Sequence, residues 1–358
     1  MNKPATIAIT DDLRIASINQ VISPSAITAE LPMTEAAATT TLQTRAAIHD
    51  ILAGDDDRIL VVAGPCSIHD TIAAIEYAKQ LWSLKQKYQR DLLVVMRVYF
   101  EKPRTTVGWK GLINDPDLND TFDINKGLHM ARKLLLNLNN LGMPAGTEYL
   151  DIITPQYVAD LISWGAIGAR TTESQVHREL SSGLSCPVGL KNGTNGNLDI
   201  AVDAIRAAAR PHHFLSMTKD GRSAIFTTTG NADCHIILRG GKTPNFDADG
   251  VNQAGDKLAA AGLAARVMID FSHANSKKIP ENQILVCADV AQQISAGDQR
   301  IIGVMIESHL VAGRQEVVDG IAPTYGQSIT DACIGFDATA TLIAELAAAV
   351  RRRRQRPL

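Results

Sequence analysis

The most informative absences in this chain concern membrane segments, paired cysteines and nucleotide fingerprints. No apolar run reaches the length that spans a bilayer, and Met1–Asp12 lacks the basic stretch and apolar core of an export signal. None of the five cysteines forms a C-x-x-C pair, which argues against a zinc ribbon or a thioredoxin motif. Neither the G-x-G-x-x-G pattern nor a P-loop pattern occurs. We therefore expect a cytoplasmic protein with reduced thiols and no membrane association.

The charge balance is close to neutral, and most basic residues are spread singly. The 358 residues are 45% hydrophobic and 20% charged, with a formal net charge of −3. Such a composition is typical of a globular protein with a large core. It gives no sign of general attraction to nucleic acid or to anionic membranes. The one dense basic run, Arg351–Arg354, is interpreted as a solvated helix terminus, where cations complement the helix dipole.

Eight apolar runs of strand length alternate with helical stretches, and each run leads into a polar or ionisable residue. Alternation of this kind indicates parallel strands joined by crossover helices, and the length suits an α/β fold of the (β/α)8 TIM barrel type. The strand-like runs are Ile59–Ala63, Leu92–Met96, Met143–Thr147, Ala166–Ala169, Val188–Leu190, His235–Leu238, Val267–Ile269 and Ile301–Ile306. The helical stretches are Ile72–Tyr88, Ile124–Leu141, Pro155–Trp164, Ser174–Ser181, Asp199–Ala209, Ala248–Ala261, Pro280–Ala296 and Ala338–Arg353.

Two additions accompany the predicted barrel, which is assigned to residues 51–358. Residues 1–50 are expected to form an N-terminal arm and helix with a role in oligomer formation or regulation. A β-hairpin at about residues 212–230 is predicted from strand-like segments on either side of Asp220-Gly221. It is placed after the sixth strand, although His235–Leu238 fits either the barrel or this extension. Glu101–Asp120 is a long loop, and loops of that length are usually functional.

Four potential metal ligands lie far apart in sequence but at the ends of different predicted elements. One thiolate, one imidazole and two carboxylates suit Mn²⁺, Fe²⁺, Co²⁺ or Zn²⁺ and suit Mg²⁺ or Ca²⁺ poorly. Each residue alone has an ordinary alternative, because a lone cysteine is often a buried hydrophobe and a single aspartate can cap a helix. His69 competes as the nitrogen ligand. The candidate set is Cys66, His273, Glu307 and Asp331.

Six basic residues fall at or just after the predicted strand ends. Arginine binds phosphate with two parallel hydrogen bonds, and lysine supplies a point charge and a proton donor. Six unpaired cations around one barrel mouth would repel one another unless dianionic ligands filled the space. Phosphate binding is therefore favoured over ordinary ion pairing with Glu101, Glu148 and Glu173. The six are Arg97, Lys102, Arg104, Arg170, Lys191 and Arg239.

Seven longer segments carry a resemblance to one enzyme family. They are Gly64–Asp70, Met96–Pro116, Ser163–Arg178, Gly189–Gly193, His235–Lys242, Ile269–Asn275 and Ser328–Cys333. Together they resemble the class I, α-subtype 3-deoxy-D-arabino-heptulosonate 7-phosphate (DAHP) synthases of bacteria, from about residue 11 onward. The resemblance implies the condensation of phosphoenolpyruvate with D-erythrose 4-phosphate to DAHP and phosphate, which is the first step of the shikimate pathway.

The resemblance also implies a role for each candidate site residue. One divalent metal ion would be held by Cys66, His273, Glu307 and Asp331. Lys102 would protonate the new alkoxide, and either Glu148 or a metal-bound group would accept a proton from water. Phosphoenolpyruvate contacts would come from Arg97, Lys102, Arg170, Lys191 and Arg239. The erythrose 4-phosphate loop would be Lys102, Pro103, Arg104 and Thr105.

Feedback inhibition by one aromatic amino acid is a further implication of the resemblance, as is assembly into dimers or tetramers. Ser216 favours phenylalanine over tyrosine, and Pro155 disfavours the tryptophan type. Ile152 and Phe226 depart from the usual Met and Val. Regulation by tyrosine or tryptophan, a sister synthase for another aldose phosphate, and a non-catalytic amino-acid sensor are the alternatives. The implied effector residues are Asp11, Asp12, Pro155, Gln156, Leu180, Leu184, Ser185, Phe214 and Ser216.

Overall fold

Parallel strands close into a barrel in the computed structural model, which describes residues 10–104, 106 and 108–356. The strands in chain order are β1 (Ile59–Gly64), β2 (Leu92–Arg97), β3 (Ala145–Glu148), β4 (Trp164–Ile167), β5 (Val188–Lys191), β6 (His213–Met217), β7 (Ser223–Thr227), β8 (Cys234–Leu238), β9 (Val267–Asp270), β10 (Ile301–Glu307), β11 (Val311–Arg314) and β12 (Gln327–Ser328). The closed barrel has the order β1-β2-β3-β4-β5-β8-β9-β10, and β10 pairs with β1. The predicted (β/α)8 barrel is therefore confirmed.

Helices cover the outside of the barrel and precede it at the N-terminus. They are α1 (Pro24–Glu30), α2 (Glu35–Ala53), α3 (Thr71–Tyr88), α4 (Ile124–Asn140), α5 (Pro155–Val158), α6 (Gln175–Gly183), α7 (Asp199–Ala208), α8 (Ala248–Ala260), α9 (Asn282–Ser295) and α10 (Phe336–Arg354). Side-chain caps start several of them, as when Asp70 accepts hydrogen bonds from the amides of Ile72 and Ala73. The predicted boundary at residue 50 falls within α2. Within the described ranges, no helix combines the length and hydropathy needed to cross a membrane.

The barrel strands are apolar on both faces because both faces are buried. Along β1, Val61 and Ala63 belong to the large cluster under the helices, whereas Leu60 and Val62 fill the barrel interior. Burial on both sides is typical of parallel sheets and explains why these strands read as continuous hydrophobic runs. Their positions were therefore predictable from the sequence.

The predicted hairpin is formed by β6 and β7, which pair antiparallel. It lies between the fifth barrel strand, β5, and the sixth, β8. His235–Leu238 is thus a barrel strand, and the placement of the hairpin after the sixth strand was wrong. Leu215 and Ile225 face each other across the hairpin with 76% and 74% exposure.

One predicted helix, Pro155–Trp164, is shorter in the structure. α5 ends at Val158, a 3-10 turn covers Ala159–Leu161, and Trp164 already begins β4. The guanidinium of Arg45 donates to the carbonyls of Ala159 and Ile162. These long-range bonds hold the backbone carbonyls in a non-helical path, which no local sequence pattern reveals.

Gly127 in α4 provides a test of the packing between this helix and the long loop before it. An alanine normally favours a helix interior by about 1 kcal/mol over glycine. At Gly127, however, a Cβ would overlap the carbonyl oxygen of Ile113 and lie 2.7 Å from its carbonyl carbon. We expect Gly127→Ala to lower the free energy of unfolding by about 1–3 kcal/mol in denaturant titration.

Gly255→Ala in α8 is the matched control, because its Cβ would lie 3.3 Å from the flexible end of Arg300. The free energy of unfolding should stay equal or rise by up to about 1 kcal/mol. Equal effects of the two substitutions would show that the close approach of Ile113 does not determine the stability of α4.

Candidate active site at the barrel mouth

The strand register brings the ends of β1, β2 and β10 together. Gly64 lies opposite Glu307, and Ala63 lies opposite Met96. The side chain of Arg97 therefore reaches two neighbouring segments. Its Nη1 donates to the carbonyl oxygen of Cys66 at 2.7 Å, and its Nη2 lies 2.9 Å from Glu307 Oε1. Arg97 also stacks on Tyr99, with 3.6 Å from the guanidinium carbon to the ring centroid.

Three of the four predicted metal ligands form a compact donor group. One ligand atom each of Cys66, Glu307 and Asp331 lies within 4.8 Å of the others. His273 is the fourth, and its Nε2 lies 3.9 Å from Glu307 Oε1. The structure therefore brings all four residues to one end of the barrel, with the imidazole at the edge of the group.

The orientation of His273 is set by residues that precede it. Its Nδ1 lies 2.9 Å from Asp270 Oδ2 and 2.7 Å from Ser272 Oγ, which leaves Nε2 directed toward Glu307. Its backbone is left-handed, with φ of 57°, a conformation that is uncommon for non-glycine residues but more frequent for histidine than for most. Contacts between a carboxylate and the far nitrogen of a metal-ligating histidine are common in metal sites. Asp270 is thus a supporting residue that was missed, although its position at a strand end, three residues before His273, was a usable signal.

The electrostatics of the donor group favour a cation. Burial, together with the nearby carboxylate of Glu307, raises the pKa of the Cys66 thiol. Burial alone would also raise the pKa of Glu307, but His273, Arg97 and Lys102 lower it to about 2. The carboxylate is thus ionised while the thiol holds its proton. A divalent ion would replace that proton, because thiolates bind borderline metals strongly. The donor set therefore fits a transition-metal ion or Zn²⁺.

A cavity of roughly 330 Å³ opens beside this group. Basic side chains dominate its wall, and Glu148, His273 and Asp331 also line it. The lining cations are Lys102, Arg104, Arg170, Lys191, Arg239 and Lys278. Pro103 lines the cavity too, whereas the predicted Thr105 lies outside the described residues. This density of positive charge suits ligands that carry phosphate and carboxylate groups.

The predicted set of six inward-facing cations needs one correction. Arg97 is 1% exposed and does not line the described cavity wall, because it is held by Glu307 and Tyr99 beneath it. Lys191 lines the cavity but also pairs with Asp270 at 3.0 Å. Two of the six are thus ion-paired, although with strand-end carboxylates rather than with Glu101, Glu148 or Glu173.

Lys102 and Glu148, the two residues predicted to transfer protons, both line this cavity. Lys102 Nζ is 3.2 Å from Cys66 Sγ, so the amine borders both the donor group and the cavity. Glu148 is buried, and a Cβ at Gly168 would overlap its Oε1. Lys278 was missed, because it follows β9 by eight residues and no strand-end pattern marks it.

A second cavity of roughly 820 Å³ lies between α2, α5, α6 and the hairpin. Seven predicted effector residues line it, namely Pro155, Gln156, Leu180, Leu184, Ser185, Phe214 and Ser216. Asp11 and Asp12 are exposed and do not line it within the described chain. Phe226 faces Phe214 with 6.1 Å between ring centroids. Arg45, Asp160 and Lys219 also line the cavity and were missed, because they come from separate elements.

Comparisons with known proteins identify the family. A model described as the DAHP synthetase I family matches residues 30–344. The chain belongs to this family. Over 344 residues it is 62% identical to "Phospho-2-dehydro-3-deoxyheptonate aldolase, Phe-sensitive" of Escherichia coli (strain K12), covering 96% of this chain and 98% of that protein. It is 55% identical over the same length to a Trp-sensitive form from Escherichia coli O157:H7, covering 96% and 99%.

A solved structure of the phospho-2-dehydro-3-deoxyheptonate aldolase from Francisella tularensis SCHU S4 is also similar. It has a TM-score of 0.93 and 53% identity, and the match covers 95% of this chain and 99% of that chain. The family and the DAHP synthase activity predicted from the sequence are therefore confirmed. The assignments of individual residues to metal, substrates and effector stay predictions.

Lys278 provides a test of the cavity wall. Removing one cation should weaken the binding of a phosphorylated substrate, because each Lys or Arg at the cavity contributes attraction in a partly desolvated space. We expect Lys278→Ala to raise the KM of at least one substrate about tenfold, a loss of about 1.4 kcal/mol of binding. Lys278→Arg should restore most of the affinity in steady-state kinetics.

Lys277→Ala is the matched control, because Lys277 is also exposed and left-handed but does not line the cavity. It should leave both KM values within about twofold of the parent. Equal KM changes in the two variants would exclude a specific contribution from Lys278.

Proposed function

We propose that this chain condenses phosphoenolpyruvate with D-erythrose 4-phosphate and water, releasing DAHP and inorganic phosphate. The observation that carries the proposal is a single barrel mouth in which the donor group of Cys66, Glu307 and Asp331 borders a cavity lined by basic side chains. Two phosphates and one carboxylate enter in these substrates, and that charge matches the wall. This reaction is the first step of the shikimate pathway.

The two substrates are assigned to different parts of the cavity. Phosphoenolpyruvate, with a phosphate and a carboxylate, is assigned to Lys102, Arg170, Lys191 and Arg239. Lys191 ends β5, and Arg170 and Arg239 follow the strands on either side of it, β4 and β8. Erythrose 4-phosphate is assigned to the loop of Lys102, Pro103, Arg104 and Thr105. Arg104 donates from Nε to the carbonyl of Trp109 at 2.7 Å, so its other guanidinium nitrogens can contact phosphate. Arg97 is proposed to position Glu307, with which it pairs. Its contact with phosphoenolpyruvate stays a prediction.

The proposed cofactor is one divalent ion held by Cys66, His273, Glu307 and Asp331. When bound, an ion there would act as a Lewis acid toward the aldehyde oxygen of erythrose 4-phosphate. Mn²⁺, Fe²⁺, Co²⁺ and Zn²⁺ all accept this donor set. Asp270 and Arg97 would hold His273 and Glu307 in place for it.

The chain's own residues would then manage two proton transfers. As C3 of phosphoenolpyruvate forms a bond to the aldehyde carbon, Lys102 would protonate the resulting alkoxide. Positive character at C2 is relieved when water adds there, and Glu148 would accept the proton that the water loses. The hemiketal phosphate formed at C2 then loses inorganic phosphate, which leaves the keto group of DAHP.

Feedback inhibition by phenylalanine is proposed for the second cavity. Phe214 and Phe226 form an aromatic wall there, and Ser216 leaves less room for a phenol than glycine would. The Phe-sensitive name of one relative supports phenylalanine as the effector. Another relative has a Trp-sensitive name, so tryptophan should be assayed beside phenylalanine.

A homo-oligomer, either a dimer or a tetramer, is proposed from exposed apolar residues on the hairpin and the arm. Leu215 and Ile225 form an exposed cross-strand pair, and Leu13 and Ile18 are 70% and 80% exposed. Exposed apolar groups on neighbouring segments often mark protein interfaces. A reducing, cytoplasmic setting is proposed because all five cysteines are free, including the ligand Cys66.

A phosphoenolpyruvate-consumption assay tests the reaction and its metal together. We expect consumption with erythrose 4-phosphate, a rate at least about a hundredfold lower with arabinose 5-phosphate, and loss of activity after chelation that Mn²⁺ or Co²⁺ restores. Full activity in chelator-treated protein of verified low metal content would contradict the metal proposal. Equal rates with both aldose phosphates would contradict the substrate assignment.

Lys102→Met tests the proton donor. Loss of a general acid typically costs about 10²–10⁴-fold in rate, so kcat should fall by at least about a hundredfold. Lys110→Met is the control on the same loop, because its side chain is exposed and only its backbone carbonyl contacts the amide of Lys102. Near-normal kcat in Lys102→Met would rule out the proton-donor role.

A further inference from the structure

Glu101 directly precedes Lys102, but its side chain leaves the active-site cavity. It is 5% exposed, and its Oε2 accepts a hydrogen bond from Thr154 Oγ1 at 3.1 Å. The backbone amides of Leu150 and Asp151 also face this carboxyl group. Glu101 thus attaches the start of the long loop Glu101–Asp120, which carries Lys102, to the segment that follows β3.

The backbone around Glu101 forms the base of that loop. Glu101 pairs with Gly111, and the amide of Lys102 donates to the carbonyl of Lys110 at 2.9 Å. A Cβ at Gly111 would overlap the carbonyl of Phe100, so the two ends of the loop are held in close approach. A shift of Glu101 would therefore move Lys102 with it.

The environment of Glu101 is unusual for a carboxyl group. Among the described residues, no Lys, Arg or His lies within ion-pairing distance of it, and burial together with Asp151 raises its pKa to about 7. A buried acid without a cationic partner carries a desolvation cost. The hydrogen bond from Thr154, together with the nearby amide dipoles, offsets this cost only while the two segments stay together.

Thr154 lies on the other side of this contact, next to the second cavity. Pro155 and Gln156, the next two residues, line that cavity. Asp151 Oδ1 accepts hydrogen bonds from the amides of Ile153 and Thr154 at 2.6 and 3.0 Å, which makes residues 151–154 a tight turn. A ligand that displaced Pro155 would therefore displace Thr154.

We propose that the hydrogen bond between Thr154 and Glu101 couples occupancy of the second cavity to the position of Lys102. Both are positioning residues, since neither lines a described cavity wall. The inference rests on the proposed aromatic effector site and deepens it, because it names the contact through which the effector would act. Coupling of this kind is reciprocal, so substrate should also change the affinity for the effector.

Thr154→Val tests the coupling, because it keeps the shape of the side chain and removes the donor. With metal-loaded full-length protein, kcat and KM without effector should stay within about twofold, and calorimetric Kd for phenylalanine alone should be unchanged. The phenylalanine concentration for half inhibition should rise at least about tenfold, within the range of typical allosteric coupling. Phenylalanine should inhibit Thr154→Ser as strongly as it inhibits the parent protein.

Two further variants provide a control for Thr154→Val and a second test of the same hydrogen bond. Thr40→Val removes another half-buried hydroxyl that bonds to a distant residue, the carbonyl of Asn139, and should leave inhibition unchanged. Thr154→Ala provides a second loss of the donor, with thermal midpoints recorded for every variant.

The outcomes separate this inference from the effector site itself. If phenylalanine, tyrosine and tryptophan neither bind nor inhibit the parent protein, the proposed effector site is wrong, and the proposed coupling is wrong as well. If phenylalanine inhibits Thr154→Val and Thr154→Ala as strongly as the parent, the effector site stands and the coupling is overturned.

Discussion

Buried ion pairs at the carboxyl ends of the barrel strands are the constraint on which the site depends. Arg97 pairs with Glu307, and Lys191 pairs with Asp270, all four being at most 3% exposed. A buried charge that loses its partner costs about 3–5 kcal/mol, so each member is held in place by the other. Because the strands are parallel, these pairs form at one end of the barrel only. Glu307 and Asp270 in turn orient His273, and the pairs therefore preorganise the donor group.

Residues at the strand ends and residues on the loops therefore have different roles in the proposed site. Cys66, Glu307 and Lys191 are buried at or just after strand ends, which suits the placement of metal ligands and of one group that would contact phosphoenolpyruvate. Arg104, Arg170 and Lys278 are exposed residues on connecting segments, where they can adapt to the bound substrates. The second cavity uses the parts added to the barrel, with α2 on one side and the hairpin on the other.

The sequence predicted the barrel and the four-ligand group for a physical reason. Continuous apolar runs such as Ile301–Ile306 occur where a strand is covered on both faces, and a polar residue at the end of such a run has only the barrel mouth to face. The pairing of Arg97 with Glu307 depends on which strands are neighbours, and β1 and β10 meet only when the barrel closes. The break after Val158 depends on Arg45, more than one hundred residues earlier. Lys278 lies in a loop whose path no periodicity encodes.

Cobalt titration of chelator-treated protein tests most directly whether Cys66 and the carboxylates surround one ion. Co²⁺ bound to a thiolate absorbs strongly in the near ultraviolet, and we predict that this band saturates at about one equivalent per chain. It should disappear in Cys66→Ala and persist in Cys287→Ala, whose thiol is buried between α9 and α10. A band of full intensity in Cys66→Ala, or none in the parent protein, would contradict the proposed metal centre.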